Sequence, residues 1–364
     1  MFTQIKDPNL SRIGEKIQAK ERLTHEDGLA LYETRDLLGL GMLANFVREE
    51  KNGNRAYFIV NQHINYSNVC VNRCRFCAFG KDAGDPQAYE MSLEEIEAKV
   101  RERMAEAISE IHIVGGIHPD LPFSYYRDML LRIKALRPEV HIQAFTAVEI
   151  AHLAGLAGRS IADTLTILAE AGLGSMPGGG AEVFSSRIRK SLCAKKLSSQ
   201  DWLEVSKTAH RLGIRTNATM LYGHMESAVE RVDHLLALRQ AQDETGGFLT
   251  FIPLAFHPKN TELEEYKGTT GLDDLKNIAA ARLLLDNFPH IKSFWIMIGP
   301  KMAQISLSFG ADDIDGTVIE ERITHMAGAE TAQAMTREEI LHLIREAGRD
   351  PVQRDTLYNR VSAN

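Results

Sequence analysis

The feature that most constrains the fold is a regular alternation of short β-rich runs and amphipathic segments, which begins near residue 55. The predicted strands are Ala56–Asn65, Glu110–Val114, Val140–Thr146, Gly174–Met176, Arg215–Tyr222, Phe248–Leu254, Ser293–Ile298 and Ile314–Val318. Helical periodicity is found between and after them, at Ser92–Ala107, Phe123–Leu136, Ile161–Ala171, Ser198–Leu212, Ala228–Gln242, Leu272–Phe288 and Pro300–Phe309. Eight such units favour an α/β fold with a parallel (β/α)8 barrel of the TIM type over an open doubly wound sheet. An incomplete barrel of six strands is also compatible, because the pattern is weak at the fourth and eighth strands.

The segments on either side of the alternation predict two extensions of the barrel. Residues 1–54 form the first, a helical leader whose apolar residues recur at helical spacing and which ends at the turn of residues 51–54. The barrel then spans residues 55–319. Residues 320–364 form a C-terminal extension with one further helix at Thr336–Ala347.

Composition limits the partners and the compartment of the chain. Its 364 residues carry a formal net charge of −7, so no broad positive field is available for nucleic acid or for an anionic membrane surface. The first residues lack the apolar core of a secretory signal, and no stretch reaches the length of a membrane span. We therefore expect a soluble cytoplasmic protein without a nucleic-acid or membrane partner.

Three of the four cysteines fall within eight residues, in the sequence Cys70-Val71-Asn72-Arg73-Cys74-Arg75-Phe76-Cys77. We call residues 70–77 the cysteine loop. Three thiols cannot pair evenly as disulfides, and a cytosolic compartment keeps thiols reduced. Thiolates bind iron–sulfur clusters strongly, and a [4Fe–4S] cluster held by three protein ligands leaves one iron open. The spacing therefore predicts a metal or cluster site on Cys70, Cys74 and Cys77.

Two alternatives to an open cluster remain at this point. A zinc site needs a fourth ligand, for which His63 or His118 is a candidate. A closed electron-transfer cluster needs a fourth cysteine, and only Cys193 is left. We interpret Cys193 as an ordinary small buried residue.

Glycine-rich and polar residues follow the ends of several predicted strands, where the active site of a parallel barrel lies. Gly115 and Gly116 follow the second strand, and Gly178-Gly179-Gly180-Ala181-Glu182 follows the fourth. Three consecutive glycines are costly to order unless a close backbone approach or unusual dihedral angles require them. Tyr222 and His224 come at the end of the fifth strand.

The CxxxCxxC spacing with an aromatic residue before the last cysteine resembles the signature of radical S-adenosylmethionine (SAM) enzymes. The resemblance implies that the open iron binds the methionyl group of SAM and that electron transfer cleaves the sulfonium. It also implies SAM contacts for Phe76, Gly115, Gly116 and Glu182. Arg187 and Arg189 are the candidates for pairing with its carboxylate.

A narrower resemblance covers roughly residues 55–360 and points to the futalosine route to menaquinone. Residues 65–70, 116–123 and 177–182 resemble segments shared by aminofutalosine synthases and by the cyclase that acts on dehypoxanthine futalosine. Residues 110–116, 143–147, 252–258 and 324–330 look like the synthases. This implies addition of the adenosyl radical to 3-[(1-carboxyvinyl)oxy]benzoate, giving 6-amino-6-deoxyfutalosine, methionine and bicarbonate or CO2, with SAM consumed as a co-substrate. The cyclase is the alternative.

The implied substrate carries two carboxylates and a flat ring, so its site needs cations and apolar walls. Arg73 is the candidate for a carboxylate contact, since it lies within the cysteine loop. Tyr222, His224 and His257 are candidates for hydrogen bonding or proton transfer. The resemblance also implies an external one-electron reductant of the flavodoxin or ferredoxin type.

Overall fold

The computed structural model describes residue 2 and residues 4–361. Its strands are β1 (Arg55–Ile59), β2 (Asn61–Ile64), β3 (Glu110–Ile113), β4 (His141–Ala144), β5 (Leu173–Met176), β6 (Arg215–Tyr222), β7 (Phe248–Ala255), β8 (His290–Ile291), β9 (Asp313–Gly316) and β10 (Asp350–Gln353). Strands β2 to β8 form one sheet in chain order, and every pairing is parallel.

The two edges of this sheet meet the same short segment of chain. Asp313 forms a parallel bridge with Lys292, which follows β8, and Ile319 forms one with Gln62 in β2. Residues 313–319 thus take the place of an eighth strand, and the sheet curls into a barrel-like wall. The predicted α/β fold of the TIM type is confirmed. At the place of the eighth strand, residues 313–319 pair with each edge of the sheet through a single bridge.

Three strand predictions need correction. The predicted strand Ala56–Asn65 is two strands, because β1 leaves the barrel and pairs with β9 and β10 in a separate three-stranded sheet. The predicted strand Ser293–Ile298 is wrong: its last four residues form a helical turn whose Trp295 and Ile296 side chains are buried. The predicted strand Ile314–Val318 starts one residue earlier, and its hydrogen-bonded part ends at Gly316.

The helices are α1 (Pro8–Gln18), α2 (His25–Glu33), α3 (Leu37–Asn52), α4 (Leu93–Glu102), α5 (Phe123–Leu136), α6 (Ala147–Ala157), α7 (Ile161–Glu170), α8 (Ser186–Leu192), α9 (Ser199–Arg211), α10 (Ala228–Thr245), α11 (Gly271–Leu284), α12 (Trp295–Ile298), α13 (Pro300–Ser306), α14 (Ile323–Met326) and α15 (Arg337–Glu346). Many begin at a Ser or Thr whose side chain accepts a hydrogen bond from the third helical residue, as Ser92, Thr146 and Ser227 do. Helix α6, which the periodicity did not predict, starts directly after β4 and brings Glu149 to the end of the barrel.

The leader helices pack against the outside of the barrel, with α3 on α11 and α2 on α10 and α11. A second, smaller core between the three-stranded sheet and helices α13 and α15 includes Phe58, Trp295 and Ile340. None of the described helices is both long and apolar enough to cross a bilayer. The division at residues 54 and 319 stays a prediction, and residues 1, 3 and 362–364 of its two extensions lie outside the described residues.

Candidate active site

A cavity of about 520 Å³ opens at the carboxyl ends of the barrel strands and continues into the barrel. Its volume is that of a small-molecule site, and its position is the one at which parallel barrels carry their chemistry. Its wall includes the cysteine loop, the glycine segments after β3 and β5, side chains from the strands themselves, the segments that follow β7 and β8, and residues between 321 and 327.

The cysteine loop brings Cys70, Cys74 and Cys77 together on the cavity wall. Its backbone is fixed from outside, since Cys70 N–H donates to the Lys81 carbonyl at 2.9 Å. A β-carbon placed on Gly80 would lie 3.9 Å from the Sγ atoms of both Cys70 and Cys77. Cys193 is buried and does not line the cavity. The three loop cysteines therefore face one shared space without the fourth.

The surroundings of the three thiols fit a metal cluster better than a single ion. Burial raises the pKa of Cys74 to about 12 and raises that of Cys77, so both are neutral thiols until iron replaces the proton. Tetrahedral zinc, with Zn–S bonds of about 2.3 Å, needs its donors within about 4 Å of one another. Among the described residues no group of three His, Cys, Asp or Glu side chains is arranged to hold one ion. Three thiols that face one cavity can hold a [4Fe–4S] cluster with an open iron.

A buried ion pair that the sequence did not reveal lies beside the cysteines. Glu182 has a positive φ of 48° and accepts a hydrogen bond from Lys196 Nζ at 2.5 Å. Lys196 also lies over the Phe76 ring, 5.1 Å from its centroid. Burial alone would lower the pKa of Lys196, but the charge of Cys74 in its thiolate form and the Glu182 carboxylate raise it well above its usual value. Phe76, Glu182 and a charged Lys196 thus form one polar corner of the cavity.

Gly115 and Gly116 line the cavity, and packing requires both to be glycine. A β-carbon on Gly115 would lie 2.4 Å from the Tyr66 ring, and one on Gly116 would lie 2.1 Å from the Val69 carbonyl oxygen. Such distances are far below van der Waals contact. The segment after β3 therefore packs tightly against the chain that leads into the cysteine loop, with its backbone exposed to the cavity.

Glu149 at the start of α6 holds the ends of two barrel strands in place. Its Oε1 accepts hydrogen bonds from Tyr66 Oη at 2.9 Å and from Gly115 N–H at 3.1 Å, and its Oε2 accepts one from Thr146 N–H at 2.7 Å. Burial raises the pKa of Glu149, although these hydrogen bonds oppose the shift. Thr146 and Glu149 form a local capping box, whereas the contacts of Glu149 with Tyr66 and Gly115 join distant parts of the chain and have no local motif.

Neither predicted arginine lies on the cavity wall. Arg187 is exposed and forms an ion pair with Glu230 at 2.7 Å. Arg189 is buried, and its guanidinium donates to the backbone carbonyls of Ala181, at 2.6 Å, and of Leu197. These contacts order the chain around α8. The structure therefore does not place the two arginines on the cavity wall, where the sequence prediction paired them with the carboxylate of SAM.

Tyr222 and His224 are also placed away from the cavity. Tyr222 Oη donates to Asp274 Oδ1 at 2.8 Å behind the barrel wall. His224 donates from Nε2 to the Leu221 carbonyl at 3.0 Å, and its side chain is fully buried. Both residues act in the described structure as internal hydrogen-bonding groups, and their assignment to the reaction stays a prediction that this placement does not support.

Arg73 and His257 do line the cavity. Arg73 has a positive φ of 46° in the cysteine loop, and its half-exposed guanidinium lies 3.5 Å from Asp82. His257 Nε2 donates to the Met297 carbonyl at 2.8 Å, which leaves Nδ1 as an acceptor on the neutral ring. Arg73 thus stays available to a ligand, and His257 has one nitrogen free to take a proton.

Deeper in the barrel, polar side chains from adjacent strands form a continuous layer. His63, His112, Gln143 and Ser175 are register neighbours on β2 to β5. The two imidazoles stack with centroids 4.5 Å apart, and His112 Nδ1 lies 3.1 Å from Gln143 Oε1. The sequence held a signal for this layer, since Glu110 and His112 alternate with apolar residues within a predicted strand.

Comparisons with known proteins agree with this geometry. The family model described as the radical SAM superfamily matches residues 64–238, and the one described as the CofH/MqnC C-terminal region matches residues 245–363. The aminodeoxyfutalosine synthase of Thermus thermophilus is 49% identical over 98% of this chain and 97% of its own length.

A second relative carries a different name. The 5-amino-6-(D-ribitylamino)uracil–L-tyrosine 4-hydroxyphenyl transferase of Methanopyrus kandleri is 43% identical over 85% of each chain. The crystal structure of methylornithine synthase superposes with a TM-score of 0.74 over 93% of this chain and 97% of that one, at 18% identity, which supports the fold alone. The chain therefore belongs to the radical SAM superfamily, whose enzymes use a [4Fe–4S] cluster and SAM, and to the branch with a CofH/MqnC C-terminal region.

Proposed function

We propose that this enzyme is an aminodeoxyfutalosine synthase of menaquinone biosynthesis. It converts SAM and 3-[(1-carboxyvinyl)oxy]benzoate into 6-amino-6-deoxyfutalosine and methionine, with release of bicarbonate or CO2. The observation that carries this proposal is 49% identity over nearly the full length of the Thermus thermophilus enzyme of that name. The cavity supports it, because three thiols at its mouth face a barrel interior large enough for a small substrate.

Cys70, Cys74 and Cys77 would hold the cluster, with one iron left for SAM. When bound, the reduced cluster supplies the electron that cleaves SAM, and SAM supplies the adenosyl group that joins the substrate. We propose that the electron comes from an external carrier of the flavodoxin or ferredoxin type. The protein's own task is to fix the two reactants and to keep water away from them.

On the SAM side we propose Phe76, Gly115, Gly116 and Glu182, as the motif resemblance implies, and we add Lys196. Glu182 offers a carboxylate oxygen to a hydroxyl or amine, and Lys196 offers an ammonium to a carboxylate. Their mutual hydrogen bond at 2.5 Å orients both groups before any ligand arrives. Gly115 packs against Tyr66 and Gly116 against Val69 too closely for a side chain to fit, so the backbone of both glycines lies directly at the cavity.

On the substrate side we propose Arg73 and His257. Arg73 supplies a cation near the cysteines, where the carboxylate of the enol ether must lie because it is attached to the reacting double bond. His257 Nδ1 is the atom on the cavity wall at which the late steps can place a proton, since Nε2 is committed to Met297. Leu221, Ile252 and Leu254 supply apolar surface for the ring.

A second candidate rests on the 43% identity to the Methanopyrus kandleri transferase. The names of the two relatives imply different co-substrates for similar chains. The reaction of 5-amino-6-(D-ribitylamino)uracil with L-tyrosine is therefore the alternative to test, together with the cyclase reaction on dehypoxanthine futalosine.

The deciding experiment incubates anaerobically reconstituted, dithionite-reduced enzyme with SAM and each substrate set in turn. Mass spectrometry of the enolpyruvyl benzoate reaction should give the adenosylated product and methionine. Formation of free 5′-deoxyadenosine only with dehypoxanthine futalosine would assign the cyclase. A product formed from the uracil and tyrosine would assign the second candidate. An enolpyruvyl benzoate that stays unchanged by cluster-loaded enzyme would refute the proposal.

A further inference from the structure

The deepest part of the cavity carries a group of polar side chains that neither the SAM site nor the cysteines use. It comprises His63, His112, Gln143, Lys292 and Asp315, all on the cavity wall, and we call it the barrel floor. These residues come from β2, β3, β4, the end of β8 and β9. His63, His112 and Gln143 are each the third residue of a four-residue strand, so the barrel floor lies within the barrel wall, whereas the cysteine loop follows the carboxyl end of β2.

Lys292 is the cation of the barrel floor. Four other basic side chains line the cavity in the described chain; three lie within or just after the cysteine loop, and the fourth is Lys196, already paired with Glu182. Lys292 is 7% exposed, and its ammonium has one contact among the described residues, Asp315 Oδ1 at the long distance of 3.4 Å. An ammonium has three donors, and a buried charge is costly unless it is paired and hydrogen-bonded. Lys292 therefore has donor capacity left for a ligand.

Asp315 is held in an unusual conformation next to this lysine. Its φ is +67°, and its N–H donates to Asp313 Oδ1 at 2.6 Å. A non-glycine residue is strained in this region and persists there where the surrounding structure fixes it. Burial raises the pKa of the Asp315 carboxyl, with Lys292 opposing the shift. Asp315 therefore neutralises Lys292 less fully than an exposed aspartate would.

The two stacked histidines complete the barrel floor with neutral rings. Burial lowers the pKa of both; His112 and Lys292 add to the shift of His63, whereas Glu110 and Asp315 oppose that of His112. Asn61 Oδ1 accepts from Val318 N–H at 2.9 Å, so its Nδ2 faces His63 Nε2 at 3.5 Å. His63 Nε2 is then the acceptor of that contact, and Nδ1 carries the proton. In this tautomer the Nδ1–H of His63, a residue of the cavity wall, is the candidate for a second donor on the barrel floor.

Besides Asp315, Glu110 is a second acidic residue on this part of the cavity wall. Burial raises its pKa, but His112, Lys292 and Arg354 more than offset this, so the carboxylate is charged. Its Oε1 accepts from Asn61 Nδ2 at 3.2 Å. Glu110 thus has a protein partner of its own, whereas Lys292 makes only the long contact to Asp315.

We propose that Lys292 and His63 bind the ring carboxylate of an aromatic dicarboxylate substrate, with the ring against Leu221, Ile252 and Leu254. The proposal rests on the proposed function and assigns the two ends of that substrate. The reacting double bond and its own carboxylate must lie near the cysteines. The meta carboxylate of the ring is at the far end of the molecule and points to the barrel floor.

The test compares two ligands on cluster-loaded enzyme without SAM, so that binding occurs without turnover. One ligand is 3-[(1-carboxyvinyl)oxy]benzoate, and the other is 2-phenoxyprop-2-enoate, which lacks only the ring carboxylate. Isothermal titration should give wild-type enzyme a Kd at least about 30-fold lower for the dicarboxylate, as expected for a buried charge pair. Lys292→Met should lose this difference and keep its affinity for the monocarboxylate within about threefold.

Two further variants distinguish the loss of the Lys292 charge from a general disturbance of the fold. Lys292→Arg keeps the cation and should retain most of the preference for the dicarboxylate. Lys301→Met, on the exposed side of α13, is the matched control and should bind both ligands like wild type. Iron content and melting temperature show whether each variant is folded and loaded.

The outcomes distinguish this inference from the proposed function. Equal affinity of wild-type enzyme for both ligands would overturn the inference. An equal loss of affinity for both ligands in Lys292→Met would also overturn it. If wild-type enzyme makes the adenosylated product while Lys292→Met still prefers the dicarboxylate, only the carboxylate site is refuted. If wild-type enzyme prefers the dicarboxylate without converting it, the proposed function fails and the site stands.

Discussion

Replacing Lys196 by Met tests whether the corner beside the cysteines is held by its buried ion pair. Lys196 Nζ lies 2.5 Å from Glu182 Oε1, and the side chains are only 16% and 8% exposed. Removing one partner of such a pair leaves a buried charge and costs about 3–5 kcal/mol. A chain of this size loses roughly 1.3 °C of melting temperature per kcal/mol, so Lys196→Met should melt about 4–7 °C lower.

The double variant that combines Lys196→Met with Glu182→Gln gives the sharper result. Glutamine has nearly the same shape as glutamate, and Glu182→Gln removes the charge that Lys196→Met leaves unpaired. The double variant should therefore melt above Lys196→Met, because no uncompensated charge stays buried. Dissociation constants for SAM, measured on cluster-loaded protein, should rise in both single variants.

Differential scanning fluorimetry of the cluster-free proteins provides the measurement. The control is Arg187→Met, which breaks an ion pair whose arginine is 61% exposed. Exposed pairs contribute about 0–1 kcal/mol, so its melting temperature should change by less than about 2 °C. A double variant that melts lower than each single variant, by the sum of their losses, would refute the argument that the buried charges are coupled.

Three further predictions concern the cluster, the packing and the pH response. Cys74→Ser should abolish iron and sulfide incorporation, whereas Cys193→Ser should retain both, because only Cys74 of the two faces the cavity; anaerobic iron analysis measures this. Gly116→Ala would place a β-carbon 2.1 Å from a backbone carbonyl and should displace the cysteine loop, which lowers iron content, while Gly155→Ala, where the β-carbon meets open space, should not. The pKa of Glu226 is lowered to about 2 from its ordinary 4.5, against the effect of burial. Its stabilisation of about 3 kcal/mol is present above pH 4.5 and is lost as the pH falls toward 2, so the melting-temperature gap between wild type and Glu226→Gln should narrow over that interval.

Each of these predictions has a result that contradicts it. Full iron content in Cys74→Ser would remove that residue from the cluster site. Gly116→Ala with wild-type iron content and melting temperature would mean that the loop has room to move. A gap between wild type and Glu226→Gln that stays constant down to pH 3 would show that the pKa of this carboxyl is not lowered by folding.

The sequence by itself determined the elements and motifs that depend on neighbouring residues. The periodicity predicted α5 with the observed bounds Phe123–Leu136, since side chains three and four residues apart share a helix face. The spacing of Cys70, Cys74 and Cys77 predicted a cluster loop, because three donors so close along the chain must face one small space. Strand order also followed, as parallel strands joined by helices pair in chain order.

Local patterns could not decide where a short apolar run goes. Residues 293–298 have the composition of a strand, but Trp295–Ile298 form a helical turn, in which Trp295 is buried against the second core and donates to the Gly316 carbonyl. The run 55–64 splits because β1 finds its partners in β9 and β10, more than 200 residues later in the chain. The local sequence carries no signal for a pairing between strands so far apart in the chain.

The tertiary structure alone decided which polar residues share the cavity. It places Arg187, Arg189, Tyr222 and His224 away from the cavity wall, each with a partner in the protein. It brings to the cavity residues that no functional motif in the sequence contains, among them Glu149, Lys196 and Lys292. Charges buried beside one another come from distant parts of the chain, and their burial and partners depend on the folded surroundings.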